Sequence, residues 1–195
     1  LHSGFKGRSL SLYSHVEISW RIKILLWWYA LFRPKAKTEN LIRISKSGKG
    51  VSSILYLLPA EKEHAQIASH FVKRGHKNDS LKIKYVVHKD GLQYYLKELK
   101  PHIIYYTDNN LNWLGALASM PIIDQINAIQ YDALVDLNQS MDQTLSLLCL
   151  ELDIPVKVGF QSPLSDQLYS MVIEPSQTGF LEKNYETIEK ILGLA

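Results

Sequence analysis

A single cysteine, Cys149, stands in a chain of 195 residues. One thiol cannot close an internal disulfide, and a zinc site needs more sulfur or a dense histidine cluster. The seven histidines (2, 15, 64, 70, 76, 88 and 102) are scattered, and no HExxH occurs. His64 and His70 lie six apart on one expected helix, roughly on opposite sides of it, a poor arrangement for one metal. A metal centre is therefore not expected. There is no GxSxG elbow for a nucleophilic serine. Ser47-Gly48-Lys49-Gly50 lacks the GxxxxGK(S/T) spacing of a phosphate loop, and it precedes a strand instead of following one. The apolar run Ile24–Phe32 is nine residues long, whereas a spanning helix needs about 20. Internal repeats and low-complexity tracts are missing too, which excludes a solenoid. Cys149, beside Leu148 on the apolar side of its helix, reads as a core residue in a reducing, cytoplasmic compartment.

What the chain does have is a clear strand–helix–strand stretch, Tyr131 to Phe160. Ala133–Leu137 is a short run of buried-strand type, broken by the turn formers Asn138, Gln139 and Ser140. Apolar residues at 141, 145, 148 and 152 make one face of a helix, and Val156–Phe160 is the return strand. Such a βαβ unit implies parallel strands. The same pattern runs through the body: strands at Ile54–Leu58, Leu81–His88, His102–Tyr106 and Tyr169–Ile173, and helices at Ala60–Arg74, Lys89–Leu99, Pro121–Ile129 and Phe180–Leu192. Ser162–Ser165 reads as a loop. Strands alternating with helices predict a three-layer, Rossmann-like, doubly wound parallel sheet of five or six strands over residues 53–195. The two most apolar strands, Ile54–Leu58 and Ala133–Leu137, should be central.

The charge is uneven. Residues 1–52 hold ten Lys or Arg against Glu17 and Glu39, which leaves twelve basic and seventeen acidic residues to the rest. A basic head on an acidic body points to an anionic partner. Residues 1–14 show no period and are left out of the fold. Residues 17–32 predict an amphipathic helix that stops at Pro34, with Trp20, Ile24, Trp27, Trp28 and Leu31 on one broad face. Cations flank it on both sides. It is expected either to dock on the domain's own sheet or on a protein partner, or to lie on an anionic membrane surface. The second case makes the protein peripheral on the inner membrane. No small-residue cleavage site follows, so a secretory signal is not expected. Nucleic acid is not the partner expected, because Trp27-Trp28-Tyr29 is continuous and not interleaved with lysine.

The turn after the first strand is Pro59-Ala60-Glu61-Lys62-Glu63, without glycine. A dinucleotide site would place a Gly-rich turn here. Two acids in the first helical turn suit the helix dipole and repel a phosphate, so no nucleotide cofactor is expected. In open parallel sheets ligands sit at the C-terminal strand ends. The polar turns there supply the ligand-binding candidates: Asp108, Asn109 and Asn110 after the third strand, and Asp136, Asn138, Gln139 and Ser140 after the fourth. Their carboxylates, amides and hydroxyl suit a sugar or another polyol. Ser140 reads as the helix cap rather than a nucleophile.

Tyr131–Gln139, followed by an apolar helix and Pro155–Phe160, resembles the N-terminal, acceptor-side domain of the ADP-heptose:lipopolysaccharide heptosyltransferases. Over about residues 50–193 the chain is also similar to a group of short bacterial proteins of unassigned function. There an Asn-Trp-(aromatic or Leu)-Gly element matches Asn112–Gly115, and Asp132–Leu137 and Lys157–Gly159 match two strands. The first resemblance implies a Rossmann-like half of a GT-B glycosyltransferase and a sugar or nucleotide-sugar ligand. Its catalytic aspartate would belong to a Gly-Asp pair after the first strand. This chain has no such pair there, and Glu61 and Glu63 are the weak stand-ins. In 195 residues a donor-binding half is not expected either. The expectation is a non-catalytic binding or assembly module. The alternative is the acceptor-side half of a glycosyltransferase that needs a separate donor-binding partner.

Overall fold

The computed structural model describes residues 51–75, 81–95, 97–174 and 181–194, with positions 20, 23 and 24. The chain divides into two compact units, Leu1–Pro34 and Lys35–Ala195. In the first, Trp20, Lys23 and Ile24 are helical and exposed. Trp27, Trp28 and Leu31, and most of the expected helix, lie outside the described residues.

The second unit is built on six strands: β1 (Ser53–Leu57), β2 (Lys82–His88), β3 (Ile103–Tyr106), β4 (Ala133–Asp136), β5 (Val156–Phe160) and β6 (Met171–Ile173). Their order is β3-β2-β1-β4-β5-β6, and every neighbouring pair is parallel. The expected sheet is thus observed, with the two most apolar strands, β1 and β4, side by side at its centre. The strands are connected by α1 (Lys62–Gly75), α2 (Met120–Asn127), α3 (Gln143–Glu151) and the short α4 (Ser165–Leu168), and α5 (Leu181–Ile191) follows β6. The chain runs from β1 outward to β3, returns to the other side of β1, and runs outward again to β6. Right-handed crossovers then place α1 and α3 on opposite faces, and α5, after the last strand, returns to the face of α1.

Alternation along each strand feeds the two faces separately. One face gathers Ile54, Tyr56, Leu58, Tyr85, Val135, Val158 and Phe160 under α1 and α5. Its centre is aromatic: Tyr56 stacks on Tyr85, with centroids 5.7 Å apart. Phe71 of α1 meets Tyr185 of α5 at 5.0 Å. On α1 the buried residues Ala65, Ala68, Phe71 and Val72 form the stripe that a helix needs to dock. The other face carries α3, where Leu145, Leu147, Leu148 and Cys149 are buried. Lys157 of β5 reaches under that helix, and its Nζ donates to the Cys149 carbonyl at 2.6 Å. Cys149 is the buried core thiol expected, with its Sγ 3.4 Å from the Leu168 carbonyl.

Three local expectations are corrected. The stretch read as a helix over Lys89–Leu99 forms two 3-10 segments, Lys89–Tyr94 and Lys97–His102. Gly91 lies against the backbone of Ala60 in this stretch, and that tertiary contact overrides helical spacing. Ser140 is exposed and does not cap α3. The N-cap is Asp142, whose Oδ1 accepts from Leu145 N at 2.8 Å. The loop read at Ser162–Ser165 runs into α4.

Candidate functional site

The sheet order reverses between β1 and β4, and the C-terminal ends of these two strands flank the crevice where open α/β sheets hold ligands. The β1 end is packed shut. Pro59 is buried, and its carbonyl accepts from Tyr95 Oη at 2.7 Å. A Cβ on Gly91 would lie 2.6 Å from Ala60 Cα, so only glycine lets this segment close over the turn. Glu61 and Glu63 point to solvent, and Glu61 pairs with His64 at 3.3 Å across one helical turn. Neither glutamate is brought to the polar groups described next.

The β4 end is polar and buried. Asp136 is 3% exposed and accepts three hydrogen bonds: from Asn138 N (2.9 Å) and Asn138 Nδ2 (2.7 Å) on Oδ1, and from Tyr169 Oη (2.7 Å) on Oδ2. Burial pushes its pKa up to about 6. The bonds from Asn138 and Tyr169 oppose that rise, and the nearby Asp142 adds to it. Tyr169 arrives from beyond β5 because Gly159 has no side chain. A Cβ at 159 would sit 2.3 to 2.6 Å from the tyrosine ring. Asp142 is half-buried. Burial raises its pKa too, against hydrogen bonds from the Leu145 and Thr144 amides and the attraction of His88.

His88 ends β2 and Tyr106 ends β3, with ring centroids 5.2 Å apart. His88 Nδ1 lies 3.4 Å from Asp90 Oδ2, and its Nε2 lies 3.6 Å from Asp108 Oδ1, outside hydrogen-bonding range. Burial raises the pKa of Tyr106 first, and the charges of Asp142, Asp136 and Asp108 raise it further. His88, Tyr106, Asp136 and Asp142 therefore share one electrostatic neighbourhood, assembled from β2, β3, β4 and α3.

A fixed arm joins the two sides. Asn110 Oδ1 accepts from Thr107 N and Thr107 Oγ1 at 2.8 and 2.9 Å. Asn112 Oδ1 accepts from the Leu114 and Ala116 amides at 2.9 and 3.1 Å. Gly115 takes φ +79°, a conformation glycine adopts without strain. Leu111 and Leu117 close the arm with an antiparallel bridge. Gln143 Nε2 and Thr144 Oγ1, in the first turn of α3, donate to the Leu114 and Gly115 carbonyls at 2.8 and 2.9 Å. The arm thus links the end of β3 to the first turn of α3, which follows β4 on the far side of β2 and β1 in the sheet order.

The sequence candidates divide accordingly. Asp136 and Asn138 are joined, with Asp136 buried and Asn138 spent on holding it. Asn110 is spent on the arm. Asp108 faces His88 from an exposed position, and Asn109 and Ser140 are exposed. Gln139 is half-buried, and its Nε2 is one of a set of buried side-chain atoms without a hydrogen-bond partner. His88 Nε2 and Ser162 Oγ belong to the same set, in the last residue of β2 and the turn after β5. Tyr85 Oη and Tyr131 Oη complete it, in mid-strand and before β4. His88, Tyr106, Asp142, Ser162 and Tyr169 are not among the sequence candidates. For His88 and Tyr106 the signal was position: both are polar last residues of strands. Among the described residues no cluster of His, Cys, Asp and Glu can hold a metal ion, and no helix is long and apolar enough to cross a membrane.

No family model matches the chain, and no curated protein does. Solved structures of similar fold include the E. coli heptosyltransferase WaaC with ADP-2-deoxy-2-fluoro heptose. The match has 18% identity and a TM-score of 0.48, and covers 73% of this chain and 49% of that one. The chain thus spans about half the length of that enzyme. A PPC decarboxylase variant matches at 16% identity and a TM-score of 0.45, over 74% of this chain and 99% of that one. The same decarboxylase with pantothenoylaminoethenethiol matches at 16% and 0.44, over 71% and 97%. Each is a distant relation of fold.

Proposed function

We propose that this chain is a heptosyltransferase-like binding module that holds a sugar or another polyol at the C-terminal edge of its sheet, without carrying out transfer itself. The observation that supports this is the set of buried, unpartnered polar atoms at that edge. His88 Nε2, Gln139 Nε2 and Ser162 Oγ sit where β2, β4 and β5 end. A buried polar group without a partner costs about 1–3 kcal/mol, and hydroxyl groups of a ligand would satisfy both donors and acceptors. The carboxylate that a base would need is already engaged: Asp136 accepts three hydrogen bonds. Glu61, just before α1, and Glu63, in its first turn, are both exposed to solvent. In the same reading the basic stretch 17–32, expected from its sequence to be an amphipathic helix, brings the module to an anionic membrane surface or a protein partner, and the protein works in the cytoplasm or at the inner face of the membrane.

A thermal-shift screen of the purified chain against monosaccharides, linear polyols and nucleotide sugars tests this. A sugar or polyol that raises the melting temperature, with no sugar consumed, supports the reading. Stabilisation by none of them ends it. A nucleotide sugar consumed only when a second, donor-binding chain is added would make the protein one half of a glycosyltransferase. Flotation with anionic and neutral vesicles tests the helix separately. Binding that needs anionic lipid and fades with salt is the expected result.

A further inference from the structure

The one tryptophan of residues 53–195 is Trp113, and it is 75% exposed. Large aromatic side chains bury well and seldom stand on a rigid support facing water without a use. Here the support is built with care. Asn112 fixes two amides of the turn, Gly115 supplies the positive φ, and Gln143 and Thr144 clamp the far side to α3. A Cβ on Gly115 would lie 3.0 Å from Gln143 Nε2, so the clamp fits closely. The arm begins beside Asp108 and ends against the residues that follow Asp142. It therefore carries Trp113 to the edge where His88 Nε2 is buried without a hydrogen-bond partner.

We propose that Leu111–Leu117 is a preformed binding arm, and that Trp113 is a platform on which the apolar face of a pyranose ring stacks. This rests on the sugar-binding reading above and adds the residue that would give it selectivity. The ring chemistry follows from the charges. Asp108, Asp142 and Asp90 lie around the arm's footing, with the His88 imidazole beside them. Carboxylates accept hydrogen bonds from sugar hydroxyls. They repel the phosphates that a stacked nucleobase would bring with it. Because the arm is held in place beforehand, little ordering is needed on binding, which favours Trp113 as a dominant contact.

The test uses the full chain. With Trp20→Phe, Trp27→Phe and Trp28→Phe combined, tryptophan emission comes from Trp113 alone. Methyl pyranosides of the gluco, galacto, manno and N-acetylgluco series are titrated, with ADP and UDP in parallel. The expected result is a saturable emission change with at least one pyranoside and none with the nucleotides. In the natural background, Trp113→Ala should weaken that pyranoside more than about tenfold, as removal of a central contact does, and Trp113→Phe should weaken it less. The melting temperature without sugar should stay unchanged in both. Equal affinity in Trp113→Ala overturns the platform while the sugar site stands. So does a lowered melting temperature without sugar in both variants, since the residue would then be structural. A response to nucleotides alone overturns the pyranose assignment. If no pyranoside alters either emission or melting temperature, the platform falls, and the broader sugar-or-polyol reading stands or fails on the linear polyols and nucleotide sugars of the thermal-shift screen.

Discussion

Strand β4 is bracketed by two aspartates held in opposite ways. Asp132, just before the strand, accepts from Ser52 N (2.8 Å), Ser52 Oγ (2.7 Å) and Ser53 N (3.0 Å). Partial burial works to raise its pKa, and these bonds outweigh that and hold it below the usual value. Asp136, at the other end, also accepts three bonds, yet its pKa stands at about 6 because burial dominates. The number of hydrogen bonds is the same, so solvent decides the sign. Water reaches the N-terminal edge, where the carboxylate fastens β1 to β4 as a charged clasp. It is kept from Asp136 at the C-terminal edge, where the carboxylate is costly to ionise and is retained nonetheless. A fold that needed only the clasp would use an apolar residue at 136, as it does at 134 and 135.

The largest way to break this contrast is Gly159→Ala. The added methyl would overlap the Tyr169 ring at 2.3 to 2.6 Å, so the ring must move and Asp136 loses a donor. Overpacking plus an uncompensated buried carboxylate should cost about 3 kcal/mol, seen as a melting temperature lowered by roughly 6–12 °C. If the strain is the cause, adding Tyr169→Ala to the same chain should cost less than it does alone. Additive losses would separate the two residues.

Asp136→Asn sharpens the contrast with the opposite sign. Asparagine keeps an oxygen for Asn138 and offers its amide to the Tyr169 hydroxyl. The wild-type group has a folded pKa raised from 3.8 to about 6. Its contribution is therefore most favourable below pH 3.8 and is lost as pH rises through 6. Relative to wild type, the variant should gain stability between pH 4 and pH 8, by up to about 3 kcal/mol. Urea unfolding across that range measures it. A constant difference between the two proteins would show that the carboxylate is not penalised.

Asp132→Asn should behave the other way. A lowered pKa stabilises above the unfolded value and the benefit is lost as pH falls through the folded one. Replacing the charged acceptor should cost about 1–2 kcal/mol at neutral pH and less in acid. Both titrations run in the same denaturant series, and parallel curves for the two variants would refute the solvent argument.

How legible this was in the sequence depends on range. The strands are short apolar runs between turn formers, and β1 and β4 announce their central place by having no polar face to expose. Asp136 and Asn138 could be chosen because a polar group ending a buried strand must go to the sheet's C-terminal edge. Tyr169 could not: it lies 33 residues from its partner, and the reason it arrives is an absent side chain at Gly159. The same kind of contact hid the geometry of Lys89–Leu99. Local spacing favours a helix there, while Gly91 must lie on Ala60, 31 residues earlier in the chain. Asp142 displaced Ser140 as the cap because neither local composition nor spacing tells which of two good capping residues the chain will bend at.

The smallest expected effect concerns the turn that the crevice does not use. Glu61 and Glu63 stand where the sheet's first turn would present groups to a ligand, and the packing of Pro59, Gly91 and Tyr95 closes the space between. Both side chains meet water, and the Glu61–His64 pair is a surface contact within one helical turn, worth about 0–1 kcal/mol. Glu61→Gln with Glu63→Gln should therefore shift stability by no more than about 0.5–1 kcal/mol, from the pair and from the weaker interaction with the α1 dipole. Affinity for any sugar found in the screen should stay within twofold or so of the unmodified chain, since removing distant surface charges leaves only weak, screened effects. A tenfold loss of affinity with an unchanged melting temperature would mean that a ligand reaches the β1 turn after all. The functional edge would then span both sides of the switch point, and the contrast between a sealed β1 end and a polar β4 end would be wrong.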